Sequence, residues 1–161
     1  MLAKAVPTLA GRKVGVLVTN GFDAALLSGL RTAVKKEKAT LVVIAPKVGG
    51  AVSSAGKLME ADFALSAAPS IFFDAVAIVA AEEGARKLAT EAAAVDWLRD
   101  AFGHLKVIGH TAGAAALLKA AGVKPGAGVV AADDDSGVRA FVAAAREGRI
   151  WPREPKLRSP G

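Results

Sequence analysis

The 161-residue chain has no cysteine and no tyrosine, and its only histidines are His104 and His110. Without cysteine no disulfide can form, no thiolate can attack, and no cysteine-ligated zinc or iron–sulfur site can be built. Without tyrosine a tyrosinate-ligated haem is excluded as well. Two histidines do not furnish a multi-histidine metal site, so no metal is expected. A long apolar run is also missing. The best candidate, residues 61–81, is broken by Asp62, Pro69 and Asp74, short of the roughly 18 uncharged residues of a membrane span. The opening MLAKAVPTLA is too short and too weakly apolar for a secretory signal. The expectation is a soluble, cytoplasmic chain with no membrane partner and no cofactor of its own.

What the chain does hold is apolar bulk. Hydrophobic residues make up 53% of it, enough for one well-filled core, and the length suits a single domain. Alanine supplies roughly a quarter of the residues, a bias toward helix. Lys and Arg outnumber Asp and Glu by 21 to 15, a formal charge of +6. Such a balance can mark a nucleic-acid or acidic partner. The basic residues are scattered, however. Their densest groups are Lys35, Lys36 and Lys38, and a tail with Arg149, Arg153, Lys156 and Arg158. No aromatics are interleaved with them and no DNA- or RNA-binding signature appears. The preferred reading is a solvated helix end plus a basic tail, not a nucleic-acid surface.

Hydrophobic patterning alternates two periods along the chain. Residues 13–19 (KVGVLVT), 40–45 (TLVVIA), 74–80 (DAVAIVA) and 105–109 (LKVIG) are short, valine-rich runs of the kind buried on both faces of a parallel sheet. Between them lie helical spacings over 22–36, 83–102 and 112–121. Asp23 favours the first helix start, Glu82 and Glu83 open the second, and Gly103 and Gly122 act as stops. Short strands near 51–53 and 57–60, a last strand at 128–132 and a helix over 138–147 capped from Asp133–Asp135 complete the reading. This predicts a doubly wound α/β sandwich with a mostly parallel sheet. Residues 1–10 read as a lead or linker, 11–151 as the domain with Trp151 packed, and 152–161 as a frayed tail.

Ligands in such sheets bind outside the carboxyl ends of the strands. There the richest junction is VIGHTAGAAALL at 107–118: a strand, a sharp turn of small residues, then a helix. That is the layout of a nucleophile elbow, with Thr111 in the nucleophile place. A threonine hydroxyl needs an adjacent base. His110 is its neighbour, but consecutive strand residues face opposite ways, and His104 lies at the far end of the strand. The preferred reading of Thr111 is therefore a helix N-cap. The weaker one is a small-anion site formed by Gly21, Thr111, Ala112 and Gly113, using backbone N–H groups. Asp133, Asp134 and Asp135 read as loop and cap rather than metal ligands. GHTAG lacks the G-x-G-x-x-G spacing of a dinucleotide site.

The phrase PSIFFDAVAIVA at 69–80 and the elbow at 107–118, in this order of elements, resemble the ThiJ/PfpI family of the class I glutamine amidotransferase-like superfamily. The resemblance implies a flavodoxin-like three-layer sandwich. More narrowly, these phrases and the ending WPREPK at 151–156 resemble the carboxy-terminal domain of large-subunit haem catalases. Active ThiJ/PfpI members place a cysteine at the elbow, often followed by histidine, where this chain has Thr111 and Ala112. They use an acidic residue where this chain has Leu26, and a Pro-Gly-Gly turn where it has Val79-Ala80-Ala81. The resemblance therefore implies a chain that is not an enzyme alone. It would be an accessory domain supporting hydrogen peroxide detoxification by a separate haem core, with a stabilising, oligomerising or chaperone-like role. Its partners would be that core or a second copy. The alternative is a residual hydrolase, glyoxalase or small-anion binder at Thr111.

Overall fold

The computed structural model describes residues 8–148. The expected packing of Trp151 and the tail after it lie outside them. Parallel strands β1 (Lys13–Val18), β2 (Thr40–Ala45), β6 (Ala75–Val79), β7 (Val107–His110) and β8 (Val129–Ala131) make the sheet, with a two-residue edge strand β5 (Phe63–Ala64). The strand order is β5-β2-β1-β6-β7-β8, and every pairing in it is parallel. A separate antiparallel hairpin joins β3 (Ala51–Val52) to β4 (Leu58–Met59). This is the doubly wound sandwich with a parallel sheet that the strand and helix alternation predicts, and the flavodoxin-like architecture that the family resemblance implies.

Burial on both faces explains why the strands read as continuous apolar runs. Val14, Val16, Val18 and Val43 face one core with helices α1 (Ala24–Lys36) and α5 (Asp135–Glu147). Leu17, Ile44, Ile78 and Ile108 face a second core. That core is closed by α2 (Glu82–Leu88), α3 (Ala92–Gly103) and α4 (Ala115–Ala121). Leu9, within the stretch read as a lead, is fully buried in the first core. Gly15 and Gly109 let the rings of Phe73 and Phe141 lie directly on the strand backbone, one on each face. A Cβ at either glycine would come within 2.7 Å of the ring.

Several expectations need correction. The single helix over 83–102 is two helices. The Thr90 hydroxyl donates to Lys87 O at 2.7 Å, and the Thr90 N–H donates to the same carbonyl. Glu91 is then extended, at φ −101° and ψ 115°. This local side-chain competition ends α2 and resets the phase. Ala92 is exposed, and Ala94, Trp97, Leu98 and Ala101 form the buried face of α3. Gly103 is the last residue of α3 rather than the first beyond it, and the left-handed residue after the helix is Leu105, at φ 63°, where burial of its side chain (7% exposed) offsets the strain. The strand that follows starts at Val107 rather than Leu105, and the first helix starts at Ala24 rather than Phe22, capped by Asp23 through Leu26 N at 3.0 Å. The edge strand β5 and two short 3-10 turns, Leu65–Ala67 and Ser70–Phe72, are too short to leave a periodic signal in the sequence. They carry the chain across the second core in place of a helix. Trp97 Nε1 holds that crossing by donating to Ala68 O at 2.8 Å.

Candidate functional site

The sheet reverses its winding between β1 and β6, so the crevice at their carboxyl ends is the expected ligand position for this topology. The turn after β7 sits beside it. Thr111 leaves the strand in extended conformation, and a one-turn 3-10 helix, Ala112–Ala114, leads into α4. A cleft of about 200 Å³ opens there. It gathers Gly21, Leu26, Ala80, Thr111, Gly113 and Asp133. Gly21, Thr111 and Gly113, three of the four residues singled out as ligand candidates, thus share one cleft. So does Leu26, at the position where the family resemblance calls for an acid.

Thr111 is buried, at 7% exposure. It stands at the N-cap position, but its side chain makes no capping bond, so the N-cap reading of its hydroxyl is corrected. The hydroxyl instead turns across to the end of β6. It donates to Ala80 O at 2.7 Å and accepts from Ala80 N at 3.2 Å. Its own N–H donates to Ile78 O, extending the ladder between β6 and β7. A two-point clasp of this kind outcompetes a cap because both backbone groups of Ala80, 5% exposed, would otherwise lose their partners.

The cap comes from elsewhere. The Asp133 carboxylate accepts from Ala112 N at 2.7 Å, from 21 residues away in sequence. Asp134 caps α5 by accepting from Gly137 N at 2.7 Å, and Asp135 lies in the first turn of that helix. The acidic triplet therefore divides between two helix starts. Its role at α5 was legible from spacing, but its role at the elbow needed the tertiary fold. Gly113 is required by close approach. A Cβ there would lie 2.5 Å from Ala80 O and 2.8 Å from Glu82 N, both backbone atoms.

Neither histidine serves the hydroxyl. His110 turns to the opposite side of the strand, where its Nδ1 lies 3.1 Å from Thr111 O and its ring lines a different groove, beside Leu118 and Val123. His104 closes α3 at the other end of the sheet, its Nδ1 2.7 Å from Asp100 O. Among the described residues no group of three or more His, Asp or Glu side chains converges as a metal site. No helix among them is long and apolar enough to cross a membrane.

Comparison with known proteins gives this geometry its context. The sequence profile of the C-terminal domain found in long catalases matches residues 10–155. The chain belongs to this family. Catalase C of Rhizobium meliloti is 41% identical over 150 residues, covering 92% of this chain and 21% of that protein. Catalase HPII of Pseudomonas putida is 33% identical, covering 89% of this chain and 20% of its own length. The chain thus spans about a fifth of these catalases. In structure it is similar to a ThiJ/PfpI family protein from Pseudomonas syringae, with a TM-score of 0.73 and 14% identity over 97% of this chain and 78% of that one. It is similar also to oxidised DJ-1 from Toxoplasma gondii, with a TM-score of 0.69 and 17% identity over 91% of this chain and 98% of that one. At such identities the likeness is one of fold.

Proposed function

We propose that this chain is a non-catalytic accessory domain of a cytoplasmic haem catalase, and that the peroxide chemistry belongs to a haem core outside these 161 residues. Its contribution is to stabilise that enzyme, to promote its assembly, or to shield unfolding protein surfaces. The observation that carries the reading is the state of the elbow. The Thr111 hydroxyl is held by both backbone groups of Ala80, and the Asp133 carboxylate already takes the Ala112 N–H. The Thr111 hydroxyl and the Ala112 N–H are thereby engaged in holding the fold. The match to the C-terminal domain of long catalases supports a haem catalase core as the partner.

The test is removal of the domain from the complete haem enzyme that carries it, followed by peroxide turnover, haem retention and half-life at raised temperature. Turnover per haem is expected to change little while heat resistance and haem retention fall. If all three were unchanged, the accessory role would be refuted. The second reading, a residual hydrolase, glyoxalase or small-anion binder, draws on the cleft that gathers Gly21, Thr111 and Gly113. It requires ester or methylglyoxal turnover, or saturable carboxylate or phosphate binding, that is lost in Thr111→Ala.

A further inference from the structure

Away from the elbow cleft, on the other side of β7, a groove of about 660 Å³ runs between α4 and the edge strand β8. Its floor follows from how α4 ends. Gly122 is left-handed, at φ 73°, and the chain folds back so that Val123 N donates to Leu118 O at 2.9 Å and Gly122 N to Lys119 O at 3.1 Å. This reverse turn sets Val123 against Leu118, the apolar contact that accompanies such helix ends. Val129 and Ala131 of β8 form the facing wall, and Ala115 lies along the helix side. Among the described residues of this lining the Lys and Arg side chains are Lys119 and Lys124, both exposed, and no Asp or Glu joins them.

An apolar trough with a basic rim selects its occupant by charge as well as by shape. A second copy of this chain would set two concave basic grooves face to face, bringing the lysines of each against the other. The chain's own residues 149–161 carry Arg149, Arg153, Lys156 and Arg158 against the single acid Glu154, so they meet the same repulsion. We propose that this groove docks an apolar polypeptide segment flanked by Asp or Glu carboxylates, contributed by the haem core. The inference rests on the accessory-domain reading and gives that domain its contact face. The apolar side chains of the segment lie between Leu118, Val123 and Val129, and its carboxylates pair with Lys119 and Lys124.

The chain has no cysteine, so a single introduced thiol reports on one place within it, read on the fragment that carries this domain. Ala115→Cys and Ala131→Cys put a thiol in the groove, and Ala93→Cys puts one on the exposed surface of α3. Each is alkylated with a maleimide in the chain alone and in the complete haem enzyme. The expected result is at least tenfold slower alkylation of both groove thiols in the enzyme, with the Ala93→Cys thiol equally reactive in both. The double variant Lys119→Glu/Lys124→Glu is expected to remove most of that protection while the chain alone melts as before. Equal reactivity of the groove thiols in both forms would overturn the docking inference and leave the accessory reading standing. No association of the chain with any haem core would overturn both. Protection in the chain alone would assign the groove to a second copy if it grew with concentration, or to residues 149–161 if it did not, and either result overturns the inference. Protection that survives the double charge reversal would overturn the acidic character of the segment.

Discussion

Replacing Thr111 with valine keeps the shape of the side chain and removes only the hydroxyl. In the native fold that hydroxyl donates to Ala80 O at 2.7 Å and accepts from Ala80 N at 3.2 Å. Both backbone groups belong to Ala80, which is 5% exposed where β6 ends. Leaving a buried polar group without its partner costs about 1–3 kcal/mol, and two are affected here. The added methyl returns roughly 0.8 kcal/mol of apolar burial. The net expectation for Thr111→Val is a loss of about 1–5 kcal/mol. For a chain of this size that lowers Tm by roughly 2–20 °C. Calorimetry gives Tm, and urea unfolding should show a lower midpoint with an unchanged slope. Thr111→Ser is the control: it keeps the clasp and loses one methyl, a cost of about 1 kcal/mol. If Thr111→Val stayed within about 0.5 kcal/mol of wild type, the range of neutral surface changes, the hydroxyl would not be structural. The elbow would then have to be reopened as a reactive site.

Three further perturbations probe the same architecture. Gly113→Ala drives a Cβ to 2.5 Å from Ala80 O and 2.8 Å from Glu82 N; because backbone must move, a loss above about 3 kcal/mol or failure to fold is expected, read by circular dichroism and urea midpoint. Asp133→Ala removes the carboxylate that caps Ala112 N and should cost about 1 kcal/mol, with Asp133→Asn recovering most of it. Glu37 accepts a hydrogen bond from Arg146 Nε, and that bond holds its carboxyl below the ordinary value of 4.5; burial opposes the shift, and the charges of Arg146 and Lys36 add to it. A carboxyl lowered in the native state stabilises the fold above its unfolded pKa and loses that contribution as pH falls through the native one. Glu37→Gln should therefore lower Tm slightly at pH 7, within about 1 kcal/mol for so accessible a pair, and the difference from wild type should vanish in acid below the ordinary carboxylate range.

The parts of the fold legible in the sequence are those set by local physics. β1, β2 and β6 are buried on both faces, so they stand out as unbroken apolar runs, and Asp23 and Gly122 mark helix ends by their own chemistry. What was hidden depends on competition between near-equal local choices. Thr90 has ordinary helical neighbours, yet its hydroxyl turns back on Lys87 and splits the helix. Gly103 looks like a stop, but the chain spends a left-handed conformation on Leu105, where a buried side chain anchors it. The two-residue strand β5 is too short to show any period. At the candidate site the turn itself was legible, with Thr111 and His110 correctly read as facing opposite ways. The bond from Asp133 to Ala112 was not, because 21 residues and a whole strand separate them.

That hidden bond bears most on function. Backbone N–H groups at the start of a helix attract negative charge whether it comes from a ligand or from the protein. Here the protein supplies it. Asp133 follows β8, the strand paired with β7, so parallel register carries its carboxylate to the same end of the sheet as Ala112. The Ala132 N–H fixes this placement by donating to His110 O at 2.8 Å. A small anion entering the cleft would have to displace a tethered carboxylate at high local concentration, and it would still find the Thr111 hydroxyl engaged with Ala80. The elbow therefore ties β6, β7 and β8 together at one end of the sheet.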